Sequence, residues 1–268
     1  MSNNGGTVDQ AEQIKQRVRE QFGAAGDAYV RSAGHRDGDD LERLVAWAEL
    51  TPHTLALDIA TGGGHTALAV APHVGRVTVT DLTPQMLDQA RVHLTGKGIT
   101  NAEYWLADAE DLPFPDAAFD VVTCRIAPHH FADVDRFAAE VARVLRPGGR
   151  LMLVDSVVPE DAQLDAFVNT LEARRDPSHV RSLRLSEWVG LLEGHGLAVE
   201  GSEIFTKRHE WEDWTTRSRM TDADREALEA WVLAAPEACR ECARIEVAGG
   251  RLQAWTDEKA LIKARKRG

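Results

Sequence analysis

The stretch LALDIATGGGHTALAVAPHVGRVTVTD, Leu55 to Asp81, decides how the rest of the chain folds. Leu55 to Ile59 is a short apolar run broken only by Asp58, which is the pattern of a buried strand. Thr61-Gly62-Gly63-Gly64 cannot continue that strand or fill a helix interior without cost, so the chain turns there. His65 to Val70 reads as a helix, and a second apolar strand, Val77 to Thr80, closes on Asp81. Glycines at such a junction let the backbone approach a ligand. The helix start behind them offers unpaired N–H groups.

Two ligands compete for this unit. Gly62-x-Gly64-x-x-Ala67, with Asp81 about 20 positions on, satisfies the dinucleotide fingerprint. Yet Asp58, Asp81 and Asp108 each stand where a strand should end, so three carboxylates would converge on the crevice at the sheet's C-terminal edge. A pyrophosphate would be repelled there. S-adenosylmethionine, with an ammonium and a sulfonium against one carboxylate and a ribose diol for an acceptor such as Asp81, suits that field better. A glycine turn that binds nothing is the bland alternative.

The chain of 268 residues is long enough for one large domain or a domain with an appendage. Its 31 basic and 43 acidic residues give a net charge of -12, which argues against a nonspecific phosphate footprint and hence against nucleic acid. MSNNGGTVDQ lacks the basic and apolar regions of a leader, and no apolar run is long enough to span a bilayer, so the expectation is a cytoplasmic protein with no membrane partner. Cys124, Cys239 and Cys242 are too few for a disulfide framework. Cys239-Arg-Glu-Cys242 has metal spacing, but no second such pair or histidine pair completes a site, so no metal is expected.

Upstream of the turn, Ala11, Ile14, Val18 and Phe22 fall at helical spacing. The glycine-rich, charged segment that follows holds Tyr29, Arg31 and His35 and is read as either a lid or a plain connector. Another helix starts near Asp40. Downstream, Thr83-Pro84 opens a helix that should run to about Thr95. Strands are expected at Glu103 to Ala109, Asp120 to Ile126 and Leu151 to Val154, the last ending at Asp155, with a helix from Val134 to Leu145 between the final two. This βαβ alternation implies a parallel sheet covered on both faces. Farther on come a helix around Leu164 to Leu171, a short one at Glu187 to Glu193, and a strand at Ala198 to Thr206. A mostly helical stretch carrying Trp211, Trp214 and Trp231, as core or as substrate cradle, leads to a last strand near Ala260 to Ala264.

Four segments in this order and spacing, LDIATGGGH, VTVTDLTPQML, LADAEDLPFPDAAFDVVTCRIAPHHF and EVARVLRPGGRLMLVD, resemble the successive motifs of class I S-adenosylmethionine-dependent methyltransferases, closest to the ubiquinone and menaquinone C-methyltransferase group. The resemblance covers about residues 50 to 157. It implies an α/β, Rossmann-like doubly wound sheet of about seven strands, the last antiparallel, with N-terminal helices and a helical insertion before that strand. The corresponding division is 1–50 for the N-terminal helices and lid, 51–209 for the core, 210–257 for the insertion and 258–268 for the last strand. S-adenosyl-L-methionine is the implied cofactor. Asp58, Ala60, Thr61, Gly62 and Gly64 would hold its methionine end, Asp81 the ribose, Leu82 and Met86 the ribose or adenine, Asp108 and Ala109 the adenine edge, with Arg125 beside the methionine and Tyr29 contributed by the lid. Ala60-Thr61 departs from the glycine and cysteine of many relatives.

Methyl transfer needs an in-line nucleophile and exclusion of water, and a base only for a reluctant acceptor. His129 and His130, after the fourth strand, and Asp155, after the fifth, would face the crevice, where a His-Asp pair could take a proton from an alcohol or phenol. The same residues could equally be a packed histidine and a helix cap. His179 is a weaker candidate. The leading expectation is therefore transfer of a methyl group to a small-molecule carbon or oxygen. An NAD(P)-dependent oxidoreductase and a non-catalytic cofactor-binding accessory module are the alternatives, and oligomeric state is left open, a homodimer included.

Overall fold

Apolar side chains alternating to both faces of β1 (Leu55–Ile59) and β2 (Arg76–Asp81) require a sheet covered on two sides. In the computed structural model, which describes residues 4–23 and 39–268, these strands pair in parallel with Asp58 opposite Val79. Helices α1 (Asn4–Gly23) and α2 (Asp39–Ala48) precede them, and α3 (His65–Val70) joins them. Then follow α4 (Pro84–Gly96), β3 (Ala102–Leu106), β4 (Phe119–Arg125), α5 (Val134–Val144), β5 (Leu145–Val158), α6 (Ala162–Arg175), the short β6 (Leu183–Arg184), α7 (Leu185–Gly194) and β7 (Leu197–Glu210). Helices α8 (Trp211–Arg217), α9 (Asp222–Leu233) and α10 (Glu237–Cys242), the short β8 (Glu246–Ala248) and β9 (Arg251–Lys266) complete the described chain.

The sheet order is β3-β2-β1-β4-β5-β9-β7, parallel from β3 to β5, with β9 antiparallel to both β5 and β7. This is the Rossmann-like architecture that the sequence implies. Strand alternation sorts the core: Leu151 and Leu153 of β5 pack with Phe137, Val141 and Trp188, whereas Met152 and Val154 pack with Leu44, Ala67 and Val70 on the other face. A third apolar cluster joins Phe167, Leu171, Trp211, Trp214, Val232 and Trp255, so the tryptophans of the helical stretch are mainly core. Cys239 is buried in the same cluster, which accounts for it as packing on α10.

Boundaries differ most at the strand ends. Strand β3 ends at Leu106, short of the expected Ala109, because Asp108 turns back to bridge Asp111. Strand β5 extends beyond the expected Leu151 to Val154 and carries Asp155 within it rather than at its end, since pairing with β9 continues to Val157 opposite Glu258. Strand β9 begins at Arg251, not 258, and β7 reaches Glu210. Their paired residues Lys207–Asp257 and His209–Trp255 keep the two-residue alternation through polar positions that hide it from a hydrophobic pattern. The three long strands thereby project past the end of the parallel strands and wall one side of the crevice.

Candidate active site

The glycine turn is locked from below. Asp58 is 1% exposed, and its two oxygens accept hydrogen bonds from Thr61 and Thr123 hydroxyls, each at 2.6 Å. Burial raises its pKa to about 6 against those bonds. Gly64 caps α3 at φ 81°, and an added Cβ would stand 2.6 Å from Leu94 Cδ1 and 3.1 Å from Ala90 Cβ. Only glycine meets both demands, conformation and close helix packing. Ala60, at φ 53°, holds the left-handed conformation with a side chain present, and so does Ile126 at φ 53° on the opposite lip. Such strain is retained where the surrounding structure fixes it, commonly at functional sites.

Asp81 joins turn and helix. Its Oδ2 accepts from the Gly62 N–H and its Oδ1 from the Thr83 N–H, both at 2.9 Å. Burial pushes its pKa up against these bonds. An ionised carboxylate has about four lone-pair positions, so two backbone bonds leave capacity toward the cavity that Asp81 lines. Along the same wall lie Ala60, Thr61, Gly62, Leu82, Met86, Asp108, Ala109 and Arg125. Asp58 and Gly64 instead underlie the turn, and Tyr29 with the expected lid lies outside the described residues.

One partner of this wall had no signal in the motifs. Lys15, on the amphipathic α1, reaches Asp108 at 2.6 Å and Glu110 at 2.7 Å, and Val18 and Phe22 of α1 line the cavity beside it. Glu110 also accepts from the backbone N–H groups of Ala132 and Asp133, fixing the loop after β4. Arg125 pairs with Asp40 at 2.6 Å, both buried. The helical spacing of Ile14, Val18 and Phe22 marks the apolar face of α1 but gives no hint of where its lysine points.

That loop carries the histidines. His129 Nδ1 lies 2.6 Å from Asp155 Oδ1, with Asp155 only 1% exposed. Burial pulls the His129 pKa down, but the charge and hydrogen bond of Asp155 outweigh it and leave it raised. With Nδ1 committed to Asp155, Nε2 is the nitrogen left for chemistry. His130, 4.2 Å from His129 between ring centroids, behaves oppositely: burial, then the neighbouring His129, lower its pKa to about 4, and its Nδ1 faces the Ser178 carbonyl at 3.0 Å. His179 contacts Asn169 at 3.0 Å and takes no part in the cavity lining. Both His129 and His130 line the cavity; Asp155 stands behind His129.

The wall facing the glycine turn is built by the long antiparallel strands and the insertion. Ser156, Lys207, His209, Asp257 and Lys259 share one sheet face, and Trp214 and Arg217 of α8 close over it. Lys259 donates to Asp257 at 2.5 Å and to Ser156 at 3.0 Å, while His209 Nε2 stands 3.2 Å from Asp257 and its ring stacks on Trp255 at 5.3 Å. None of these polar residues was singled out by sequence. Among the described residues no cluster of three or more histidine, cysteine or acidic side chains could hold a metal ion, and no helix is long and apolar enough to cross a membrane.

Comparison with known proteins bears on the family and the fold. The family model described as "Methyltransferase domain" matches residues 57–153. The uncharacterized methyltransferase YcgJ of Bacillus subtilis is 43% identical over 190 residues, covering 71% of this chain and 75% of that protein. Its crystal structure superposes with a TM-score of 0.83 at 36% identity, covering 85% of this chain and 98% of that one. The 27-O-demethylrifamycin SV methyltransferase of Amycolatopsis mediterranei is 30% identical over 82% of this chain and 78% of its own length. The demethylmenaquinone methyltransferase of Deinococcus radiodurans is 40% identical over 44% of this chain and 50% of that protein.

Proposed function

This chain belongs to the methyltransferase family, and from that premise we propose that it transfers the methyl group of S-adenosylmethionine to a hydroxyl of a small molecule. The observation that carries the hydroxyl is the 2.6 Å contact between His129 and Asp155 at the cavity. A cofactor fits the residues present: the glycine turn offers backbone at close range, Asp81 keeps acceptor capacity beside it, and Met86 with Ala109 supplies apolar surface for a planar ring. Once bound, the cofactor supplies an electrophilic methyl carbon.

The chain's own residues do the rest. His129 Nε2 accepts the acceptor's hydroxyl proton as the oxygen attacks. Nδ1–H stays on Asp155 Oδ1, whose negative charge stabilises the imidazolium that results. His130, held neutral by its lowered pKa, adds no competing charge beside it. Phe22 packs edge-on against His130 at 5.1 Å, and Phe131 lines the same rim, so apolar surface would keep water from a methyl group presented there. Support for oxygen over carbon comes from the Amycolatopsis relative, whose name specifies an O-methyl position and whose likeness spans both halves of the chain. The quinone methyltransferases match a shorter part of it, 38% to 54%.

Incubation with methyl-labelled S-adenosylmethionine and a pool of phenols and alcohols tests the reading. It should release S-adenosylhomocysteine and place the label on oxygen, as seen by NMR of the product. Label found only on carbon or nitrogen would overturn the hydroxyl assignment.

A further inference from the structure

His129 and His130 are consecutive, yet both line the cavity, and the turn Pro128–His130 that carries them is clamped from behind. The His129 carbonyl accepts from the Val180 and Arg181 N–H groups at 2.8 and 3.1 Å, and the His130 ring turns its Nδ1 to Ser178. The surroundings fix the proton on that nitrogen. The Ser178 carbonyl, 3.0 Å away, can only accept. The Ser178 hydroxyl, 3.2 Å away, gives its one proton to Asp176 Oδ1 at 2.6 Å, so toward the ring it too can only accept. Nδ1 therefore carries the hydrogen, and the ring is neutral, its pKa lowered to about 4 by burial and then by His129. His130 Nε2 is left with a lone pair and no hydrogen.

His129 in its neutral form repeats the pattern, with Nδ1 on Asp155 and a lone pair on Nε2. Neither Nε2 has a hydrogen-bond partner among the described residues, and neither is sealed from the cavity that both rings line. Two acceptors thus stand at one rim, on rings 4.2 Å apart between centroids. Proton transfer to His129 uses one of them. A substrate with a single hydroxyl would satisfy His129 and leave the His130 lone pair without a donor, in a site walled by Phe22, Phe131 and Trp214 that favours a flat apolar body over water. Rings this close match donors on neighbouring carbons, not donors at opposite ends of a molecule.

We propose that His130 Nε2 accepts a hydrogen bond from a second hydroxyl of the methyl acceptor, on the carbon next to the one whose oxygen is methylated, so that the substrate is a vicinal dihydroxy compound of catechol type. The proposal rests on the reading that His129 takes a hydroxyl proton. It gives His130 the choice of substrate while His129 and Asp155 act on it. It also limits the reaction to one methyl per pair of hydroxyls. After transfer the oxygen beside His129 is an ether with no proton. Turning the product round would bring the remaining hydroxyl to His129 only by setting that ether oxygen against the His130 lone pair, acceptor against acceptor.

The test uses the full chain with saturating S-adenosylhomocysteine and three matched probes titrated calorimetrically: catechol, phenol and guaiacol, the monomethyl ether of catechol. Catechol should bind about fivefold or more tightly than phenol, the span of one neutral hydrogen bond, and guaiacol no more tightly than phenol. His130→Phe, which keeps a ring but has no acceptor, should bring catechol and phenol to within about twofold of each other. A titration of the variant with S-adenosylhomocysteine reports whether the fold and the cofactor wall are intact. Nitrogen NMR of the histidine-labelled protein gives a reading independent of turnover: the signal absent from His130→Phe should be that of an Nδ1–H tautomer, and its Nε2 should shift when catechol is added. An Nε2–H tautomer at this residue, equal binding of catechol and phenol, no binding of catechol, or an undiminished preference in a folded His130→Phe protein would overturn the subsite. Should the variant not fold, the order of the three probes on the wild type decides. Label from S-adenosylmethionine appearing on a carbon of catechol would instead count against the hydroxyl reading, and the binding titrations would still decide the subsite.

Discussion

Replacing Asp81 by asparagine separates the two duties of that side chain. Its oxygens accept from the Gly62 and Thr83 N–H groups at 2.9 Å, and an amide can satisfy only one of these while its nitrogen faces the other donor. A stranded backbone N–H costs about 1–3 kcal/mol, so stability in urea should fall by that amount at neutral pH. For the cofactor, the loss of even one charge-assisted bond to a ribose hydroxyl removes about 1.5–3 kcal/mol, which is roughly 10- to 150-fold in Kd. Calorimetric titration with S-adenosylhomocysteine measures this directly. The pH dependence gives a second reading of the same group. Burial raises the Asp81 pKa, so in the wild type affinity should decline on acidification from a pH above the usual carboxylate range, whereas Asp81→Asn should lack that dependence. The linkage in the ligand-free protein has the opposite sense: a raised carboxyl pKa favours the fold below the unfolded value, and that contribution is lost as pH rises through the folded value. A folded Asp81→Asn protein with wild-type affinity and an unchanged pH profile would refute the ribose assignment.

Three further outcomes are expected. His129→Gln should lower labelled-methyl transfer by about 10²- to 10⁴-fold with little change in cofactor affinity, and transfer at saturating substrate should fall on acidification through a pKa above 6.5 in the wild type but a lower one in Asp155→Asn, as a stopped pH–rate series would record. Gly64→Ala, which forces a Cβ against Leu94 and Ala90 at φ 81°, should cost about 1–3 kcal/mol in urea unfolding; an unchanged midpoint would contradict the packing described. Ala60→Gly should act the other way, relieving φ 53° and raising stability by about 0.5–1 kcal/mol once the added chain entropy is subtracted.

How much could be read beforehand depended on the kind of signal. The run into Gly62-Gly63-Gly64, the acidic end of β2 and the Thr83-Pro84 helix start are local, and each fixes backbone within a few residues; these emerged as β1, β2 and α4 with nearly the expected bounds. The pairing of His129 with Asp155 was accessible too, because it follows from adjacent strands β4 and β5 once their order is known. Lys15 was not, since an amphipathic pattern tells which face of α1 is buried but not that the lysine 93 residues before Asp108 would meet it. Lys207, His209, Asp257 and Lys259 escaped for another reason. Their strands lose the hydrophobic half of the alternation at the cavity, so a scan for apolar periodicity ends the strand where the chemistry of the wall starts.

Strand β9 enters the sheet between β5 and β7, and that order has a consequence during synthesis. Lys259 and its partner Ser156 are 103 residues apart, so at ribosomal speeds of about 5–20 residues per second the open edge of β5 waits roughly 5–20 s for its neighbour. For that interval the row from Leu151 to Val157, largely apolar and two-sided, presents unpaired N–H and C=O groups to any other nascent strand. The helices of the insertion emerge within the same interval, and Phe167, Trp211 and Trp214 have Trp255 to pack against only once β9 arrives. The parallel half can thus form early, but the cavity wall that faces the glycine turn is assembled last, and holding chaperones should act on this chain chiefly before residue 251 has left the ribosome.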